Sequence, residues 1–315
     1  MTETMKAWQQ AAPGLTEENL KLVDNVARPN VAALKDGEIL VRVTSACLNP
    51  ADYKVLEMGF MSRAAVKFPK VLGMDLSGIV EAVAKGSTDV KTGDNILGRV
   101  DPMKAHGSFS EYVVLSREDY AVLPQDTDLD KAAGVPTTGM TAYQSIKPYV
   151  KPGDRVFING GSGEQEHLVY KLRKHSDAII TDIVTELKAE GQIYDLVVDN
   201  VGNSPKDFFS TTPGFLKPEG RFVSVGGSAS LDTFKTISNG LLRPTFLGGT
   251  PRKFVPYFTK NVREDYEQLA KWLADGSITT IIESTFEFEQ VIEALKHLKK
   301  GSSAGKIIVH VSSKT

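Results

Sequence analysis

The sequence predicts a two-part α/β protein, a β-rich domain joined to a domain built on a parallel sheet. Three observations carry that expectation. Up to about residue 123 the chain reads as short strands broken at glycines. From Asp130 onward strands and helices alternate, as in a parallel sheet with crossover helices. At the head of the second part a buried strand, Arg155 to Asn159, runs straight into Gly160-Gly161-Ser162-Gly163.

In order along the chain, residues 39–48 alternate like a half-buried strand, and Asn49-Pro50-Ala51-Asp52 stops it. Residues 71–83 read as two strands pinched by glycines. Lys91-Thr92-Gly93-Asp94 is a turn into a strand at 95–99, and residues 108–115 form another strand. Ala132, Ala133, Met140, Ala142, Tyr143 and Ile146 share a helical spacing that ends near Lys151-Pro152-Gly153-Asp154. A strand at 155–159 follows, then a helix near 164–174, a strand at 178–180, a helix at 182–190 and strands at 194–199 and 221–225. Residues 264–274 and 287–299 read as amphipathic helices. The last strand, 306–311, is expected to return to the β-rich domain, with Ile307, Val309 and Val311 on one face.

Composition narrows the function classes. The chain has 315 residues, 41% of them hydrophobic, ample for one large or two ordinary domains. A net charge of -2 gives no electrostatic reason to expect nucleic acid or an anionic membrane as partner. Cys47, the one cysteine, excludes an internal disulfide and a multi-cysteine zinc site. His106, His167, His175, His297 and His310 show no ligand spacing, so no metal is expected. The first residues lack the form of a signal peptide, and no apolar run approaches the ~18 residues of a membrane span. A cytoplasmic monomer or homodimer is expected.

A strand running into a glycine turn and a helix is the phosphate-cradling start of a dinucleotide fold. Gly160, Gly161, Ser162 and Gly163 are therefore candidate cofactor contacts. The pattern G-x-G-x-x-G needs glycine or alanine at 166, where Glu166 stands, with Glu164 just before it. Carboxylates there suit a helix dipole but repel a phosphate competing for the same N–H groups. A hydrolase reading fails, because neither Gly160–Glu164 nor Gly226–Ser230 matches G-x-S-x-G.

Six motifs spread across nearly the whole chain resemble the medium-chain dehydrogenase/reductases. They are Leu48-Asn49-Pro50-Ala51-Asp52-Tyr53-Lys54, Gly73-Met74-Asp75-Leu76-Ser77-Gly78, Gly107-Ser108-Phe109-Ser110-Glu111-Tyr112, Thr137-Thr138-Gly139-Met140-Thr141-Ala142-Tyr143, Asp195-Leu196-Val197-Val198-Asp199-Asn200-Val201-Gly202 and Gly305-Lys306. The likeness is to the zinc-free branch of quinone oxidoreductases, fungal trans-acting enoyl reductases and zinc-type-alcohol-dehydrogenase-like proteins. It implies a GroES-like catalytic domain at 1–125 and 285–315, and a Rossmann-type nucleotide domain at 126–284. It implies hydride transfer from NADPH or NADH to an activated C=C or C=O of a small molecule, such as an enone or polyketide-like compound of secondary metabolism. Zinc-dependent relatives place cysteine where Asn49 stands and Gly-His-Glu where Gly73-Met74-Asp75 stands. Their four-cysteine lobe is replaced by the short connection from Arg99 to Gly107. The resemblance therefore implies no zinc.

By the same resemblance Asn49, Tyr53 and Lys54 lie nearest the substrate, with Tyr53 as a candidate proton donor. Pro50, Thr138, Asn200, Gly202, Gly226 and Lys306 join the glycine turn as cofactor contacts. Plainer roles stay open for each. Asn49 and Asp52 can cap a turn, and Thr138 can cap a helix. Asn200, Gly202 and Gly226 can serve turn geometry, and Lys306 can be an exposed lysine at a strand start.

The second domain is too short for its class. Each βαβ unit of a Rossmann half takes ~30 residues. Residues 160–193, 34 in number, hold one strand and two short helices where two strands and three helices belong. About one β-α unit after Gly163 is missing, and with it the third glycine and the ribose-binding strand end that chooses NADH or NADPH. Residues 178–181 are expected to fill the vacated place beside the 155–159 strand. Three explanations stand: an exon skipped in the gene model, a natural deletion, or a shrunken site that still binds nicotinamide weakly. A natural deletion would leave a cofactor-free isomerase, lyase or cyclase, or a non-catalytic binding protein.

Overall fold

The computed structural model describes residues 3–160, 183–202, 207–225, 249–301 and 304–312. Gly161, Ser162, Gly163, Glu164, Glu166, the expected strand at 178–181 and Gly226 lie outside these residues. The chain divides into two units, Met1–Met140 with Lys260–Thr315, and Thr141–Thr259.

The first unit is β-rich. Strand β1 (Thr4–Gln10) pairs antiparallel with β2 (Leu20–Ala27) and with β4 (Lys70–Val71). The larger sheet is organised by β3 (Ile39–Cys47). One edge of β3 takes β5 (Asp75–Val83), which leads on to β6 (Asn95–Arg99) and β8 (Tyr120–Leu123). Its other edge is shared. Ile39–Arg42 pair with β7 (Tyr112–Leu115), and Ser45–Cys47 pair with β14 (Lys306–His310). Strand β13 (Ile282–Glu287) lies parallel to β14. The C-terminal strand thus returns to the β-rich unit, and it brings Lys306 with it.

Alternation predicted a half-buried β3. The strand is instead buried at every residue except Arg42, because it is paired on both edges and covered on both faces. Residues 108–115 predicted one strand, but the ladder holds only Tyr112–Leu115. Ser110 Oγ lies 2.9 Å from the carbonyl oxygens of both Gly107 and Tyr112, and this local bonding bends the chain before the ladder starts. The helical spacing at 132–146 is split in two, Leu129–Ala133 and Pro136–Ile146. Pro136 lacks an N–H and opens the second helix, where that donor is not needed.

Close backbone approach fixes the Gly107 bend. A Cβ on Gly107 would stand 2.3 Å from Leu72 O and 2.4 Å from Val71 O, both rigid backbone atoms. Gly107→Ala is expected to destabilise the protein by about 1–3 kcal/mol through overpacking. Urea denaturation reads it, and an unchanged midpoint would contradict the packing described.

The second unit is a parallel sheet in the order β12 (Lys253–Pro256), β11 (Leu216–Ser224), β10 (Tyr194–Asp199), β9 (Val156–Asn159). Along β10, Val197 joins an aromatic cluster of Phe208, Phe209, Phe215, Phe222 and Phe254. Leu196 and Val198 point to the opposite face and pack with Ile146 and Val223. The register sets Asn159, Asp199 and Ser224 side by side at the carboxyl ends of their strands.

Candidate active site

Three candidates of the first unit, Asn49, Thr138 and Lys306, converge where the ends of β3, β5, β6 and β14 meet the start of the helix Pro136–Ile146. Beyond β3 the chain passes Leu48 and turns at Asn49 into the helix Pro50–Leu56. Asp52 Oδ2 accepts the backbone N–H of Asn49 at 2.7 Å and holds that turn. The Asn49 side chain, 3% exposed, is directed inward. Its Oδ1 accepts from Lys306 Nζ at 2.8 Å, and its Nδ2 donates to Asp75 Oδ2 at 2.9 Å and to Cys47 O at 3.5 Å. The plainer capping role thus belongs to Asp52, while the Asn49 side chain reaches a buried polar network.

Lys306 is not an exposed strand-start lysine. It is 3% exposed, and its ammonium also donates to Thr138 Oγ1 at 3.1 Å. The reason is what packs against its face of the sheet: Asn49 and Thr138 hold the ammonium, and the stem runs so close to Gly134 that a Cβ there would lie 3.2 Å from Lys306 Cγ. Thr138 is the third residue of its helix rather than the cap, and its hydroxyl serves as an acceptor for Lys306.

Asp75 completes the anionic side. Fully buried, it accepts from the Thr137 backbone N–H at 3.0 and 3.1 Å and from Thr137 Oγ1 at 2.6 Å. A carboxylate at a helix N-terminus satisfies an orphan donor and complements the dipole. Burial pushes the Asp75 carboxyl up, while Lys306, Thr137, Arg99 and Asn49 draw it back. Arg99, paired in register with Asp75 across β5 and β6, donates Nε to Thr137 Oγ1 at 2.9 Å and a guanidinium N–H to Asn261 Oδ1 at 2.9 Å. Asn261 Nδ2 in turn reaches Asp119 Oδ1 at 2.6 Å. Sequence reasoning missed Arg99 and Thr137 as members of this network and named Asp75 only for its motif. A charged residue at the end of an otherwise apolar strand, as in Asn95-Ile96-Leu97-Gly98-Arg99, was the available signal.

The remaining candidates stand elsewhere. Pro50 is exposed at the first position of its helix, and Lys54 is exposed. The half-buried Tyr53 ring lies 4.6 Å beneath the Lys299 ammonium, which bridges Glu17 and Glu57 at 2.5 Å each. Burial raises the Tyr53 phenol. In the second unit Gly160 has φ +77°, and a Cβ there would lie 2.4 Å from Val201 Cγ2. Asp199 Oδ1 accepts from Asn159 Nδ2 at 2.7 Å and from the N–H groups of Val201 and Gly202 at 3.2 and 3.3 Å. Asn200 donates its N–H to Asn159 O at 3.1 Å, and Gly202 has φ +80°.

Met74, 1% exposed, takes a guanidinium N–H of Arg99 on its sulfur at 3.6 Å. Among the described residues no group of three or more His, Cys, Asp or Glu side chains is arranged to hold a metal ion. Among the same residues no helix is long and apolar enough to cross a membrane.

Comparison with known proteins agrees with this architecture. Residues 35–125 match the family described as "Alcohol dehydrogenase GroES-like domain", and residues 173–309 match "Zinc-binding dehydrogenase". A trans-enoyl reductase, pgmF, of Aspergillus terreus is 33% identical over 345 residues, covering 98% of this chain and 96% of the relative. That alignment exceeds the 315 residues of this chain, so the relative carries at least 30 internal residues that are absent here. The 2-methylene-furan-3-one reductase of Solanum lycopersicum is 28% identical, covering 97% of this chain and 79% of the relative. The structure of the quinone oxidoreductase from Coxiella burnetii superposes with a TM-score of 0.79 at 26% identity, covering 98% of this chain and 100% of that one. With a GroES-like β-rich unit, a parallel Rossmann-like sheet and a relative of one-third identity along nearly its full length, the chain belongs to the medium-chain dehydrogenase/reductase family of oxidoreductases.

Proposed function

We propose that this chain is a zinc-independent, NAD(P)H-dependent reductase of small molecules bearing an activated C=C or C=O. The observation that carries the reading is the buried Lys306 ammonium, fixed on Asn49 and Thr138 beside the Asp75 carboxylate. In zinc-dependent relatives the positions of Asn49 and Met74 belong to metal ligands; here a protein cation stands in the same neighbourhood. A preorganised cation in a dry site can stabilise negative charge developing on a substrate oxygen without reorganisation.

The second unit fits a dinucleotide in part. Ligands of open α/β sheets lie outside the carboxyl ends of the strands, where Asn159, Gly160, Asn200 and Gly202 stand. The close approach at Gly160 leaves no room for a side chain, as a phosphate-binding turn requires. NAD(P)H, when bound, supplies the hydride. The chain's own residues do the rest. Thr138 Oγ1 accepts from Lys306 and keeps its own proton to donate. Asn49 spends both ends of its amide on Lys306 and Asp75, so it orients the ammonium. Tyr53 and Lys54 remain proposed substrate-side groups, and Pro50, Gly161, Ser162, Gly163 and Gly226 proposed cofactor contacts. The relatives' names, an enoyl reductase, a methylene-furanone reductase and a quinone oxidoreductase, point to enoyl, enone and quinone compounds as the substrate class.

NADPH consumption with cyclohexenone, a crotonyl thioester or benzoquinone tests the activity. Turnover is expected with at least one of them, unchanged by a zinc chelator. Loss of turnover on chelation, restored by zinc, would overturn zinc independence.

The missing internal residues favour a second reading, a cofactor-free lyase, isomerase or cyclase, or a binding protein. Calorimetry with NADPH separates the two, and sequencing the transcript across residues 155–195 decides whether the deletion is natural.

A further inference from the structure

Directly behind the Asn49 turn lies a second polar pair that the reading above does not use. Asp52 and Lys70 are 6% and 4% exposed. Asp52 Oδ2 holds the Asn49 N–H, but among the described residues its Oδ1 is buried with no hydrogen-bond partner. Lys70 Nζ donates to His106 O at 3.0 Å, which occupies one of its three N–H groups. Both residues line one small, partly open cavity of about 10 Å³, together with Val55, Gly73, Met74 and Pro102. That volume admits about one water, and a buried water needs two or more polar partners. The Asp52 oxygen and the Lys70 ammonium supply them.

We propose that one internal water bridges Asp52 Oδ1 and Lys70 Nζ, and that this bridge is a proton-coupled positioning element for the Asn49 turn. The water accepts from the ammonium and donates to the carboxylate. A proton taken up by Asp52 comes from solvent through this water, and none is created or lost within the pair. With Asp52 ionised, Oδ2 is a charged acceptor for the Asn49 N–H, which is the stronger kind of hydrogen bond. With Asp52 protonated, that bond weakens, and the amide that orients Lys306 loses its backbone anchor.

Burial and the surrounding groups place the transition near neutrality. Burial pushes Asp52 up to about 7, opposed first by the Asn49 N–H; Asp75 adds to the rise, and Lys70 and Lys306 oppose it. Burial lowers Lys70 to about 8, with Asp52 and Asp101 opposing. His106, lowered to about 4 first by burial and then by Lys104 and Lys70, stays neutral throughout this range. Asp52 has a folded value above its unfolded one, so the folded form binds the extra proton between them. Its contribution to stability is present at low pH and lost as pH rises through about 7. For one proton the folding constant changes by roughly tenfold per pH unit between about pH 5 and pH 7. Lys70 acts in the other direction and above this window, between about 8 and 10.5.

Two measurements on the full chain, neither needing a cofactor, test the proposal. A crystal structure of the parent protein at slightly alkaline pH should show a water within hydrogen-bond distance of Asp52 Oδ1 and Lys70 Nζ; a dry cavity overturns the bridge. Urea denaturation between about pH 5 and 7 should show the parent folding constant falling by roughly tenfold per pH unit relative to Asp52→Asn. Parallel profiles overturn the proton coupling. If Asp52→Asn does not fold, carboxyl titration of the parent by carbon-13 aspartate labelling replaces that arm, with a group titrating near neutrality expected and its absence decisive against. The catalytic consequence alone rests on the proposed reductase activity. There, kcat/KM for NADPH-driven cyclohexenone reduction should fall below about pH 7 in the parent and lose that limb in Asp52→Asn. An acid limb that persists unchanged would remove Asp52 from positioning, whereas absent turnover in both proteins counts only against the reductase reading.

Discussion

Lys306→Met is expected to lower kcat for enone reduction by roughly 100- to 1000-fold, the scale of losing one preorganised donor to a developing oxyanion. The substitution is close in volume, so packing around β14 is largely kept. The charge is not. Lys306 leads the groups that draw the Asp75 carboxyl back from its burial-driven rise. Without the ammonium, Asp75 retains Thr137, Asn49 and Arg99 but loses the cation that most opposes its burial. Removing one member of a buried ionic group costs about 3–5 kcal/mol, because the other charge stays desolvated. Stability should therefore fall together with activity, and the acid range should rescue it, since protonating Asp75 removes the uncompensated charge. Turnover and urea denaturation at neutral and acidic pH measure both. Activity within a few-fold of the parent would take Lys306 out of the chemistry and leave it a structural lysine.

The two-unit architecture was legible because its signals are local. Val156–Asn159, Tyr194–Asp199, Asn95–Arg99 and Lys306–His310 are short apolar runs bounded by turn residues, and each is a strand at nearly the expected bounds. Strands β1, β2, β12 and β13 drew no expectation. β2 sets exposed Lys21, Asp24 and Asn25 irregularly among its apolar residues, β13 carries Glu283, Ser284, Thr285 and Glu287 in six residues, and β12 is four residues ending in Pro256. Their strand character comes from partners distant in sequence, and propensity alone does not report such pairing.

The site was legible only in part, for a related reason. Asn49, Thr138 and Lys306 were singled out by resemblance, and they do meet within hydrogen-bond distance. That Lys306 is buried follows from Asn49, Gly134 and Thr138 packing against it, residues at least 168 positions away in sequence. Arg99 and Thr137 enter through the Asp75 carboxylate, a contact between residues 62 positions apart in one case. Tyr53 was placed by its neighbourhood in sequence, but a helix turns successive residues about 100° apart. That rotation sets its ring under Lys299 while Asn49 faces Lys306.

Dinucleotide affinity should be at least roughly tenfold weaker here than in an intact relative such as the Aspergillus terreus enoyl reductase. Glu164 and Glu166 follow the glycines where a pyrophosphate would compete for the same N–H groups, and no third glycine stands at 166. At least 30 internal residues of the relative are absent from this chain. A lost charge-assisted hydrogen bond is worth about 1.5–3 kcal/mol, which alone gives a tenfold to hundredfold deficit. What the second unit retains is the shape of the strand ends, with Asp199 Oδ1 gathering Asn159, Val201 and Gly202 and Gly160 held at φ +77°. Those contacts are protein to protein, so they keep the floor of the site without supplying phosphate donors. The double substitution Glu164→Gln and Glu166→Gln removes the repulsion and leaves the chain length alone. It should tighten NADPH binding by roughly tenfold by calorimetry, with the gain shrinking at high salt as screened charges require. Binding to the parent at about 1 µM or tighter would mean that the pyrophosphate is held despite the absent residues, and no gain from the double substitution would take Glu164 and Glu166 out of the deficit.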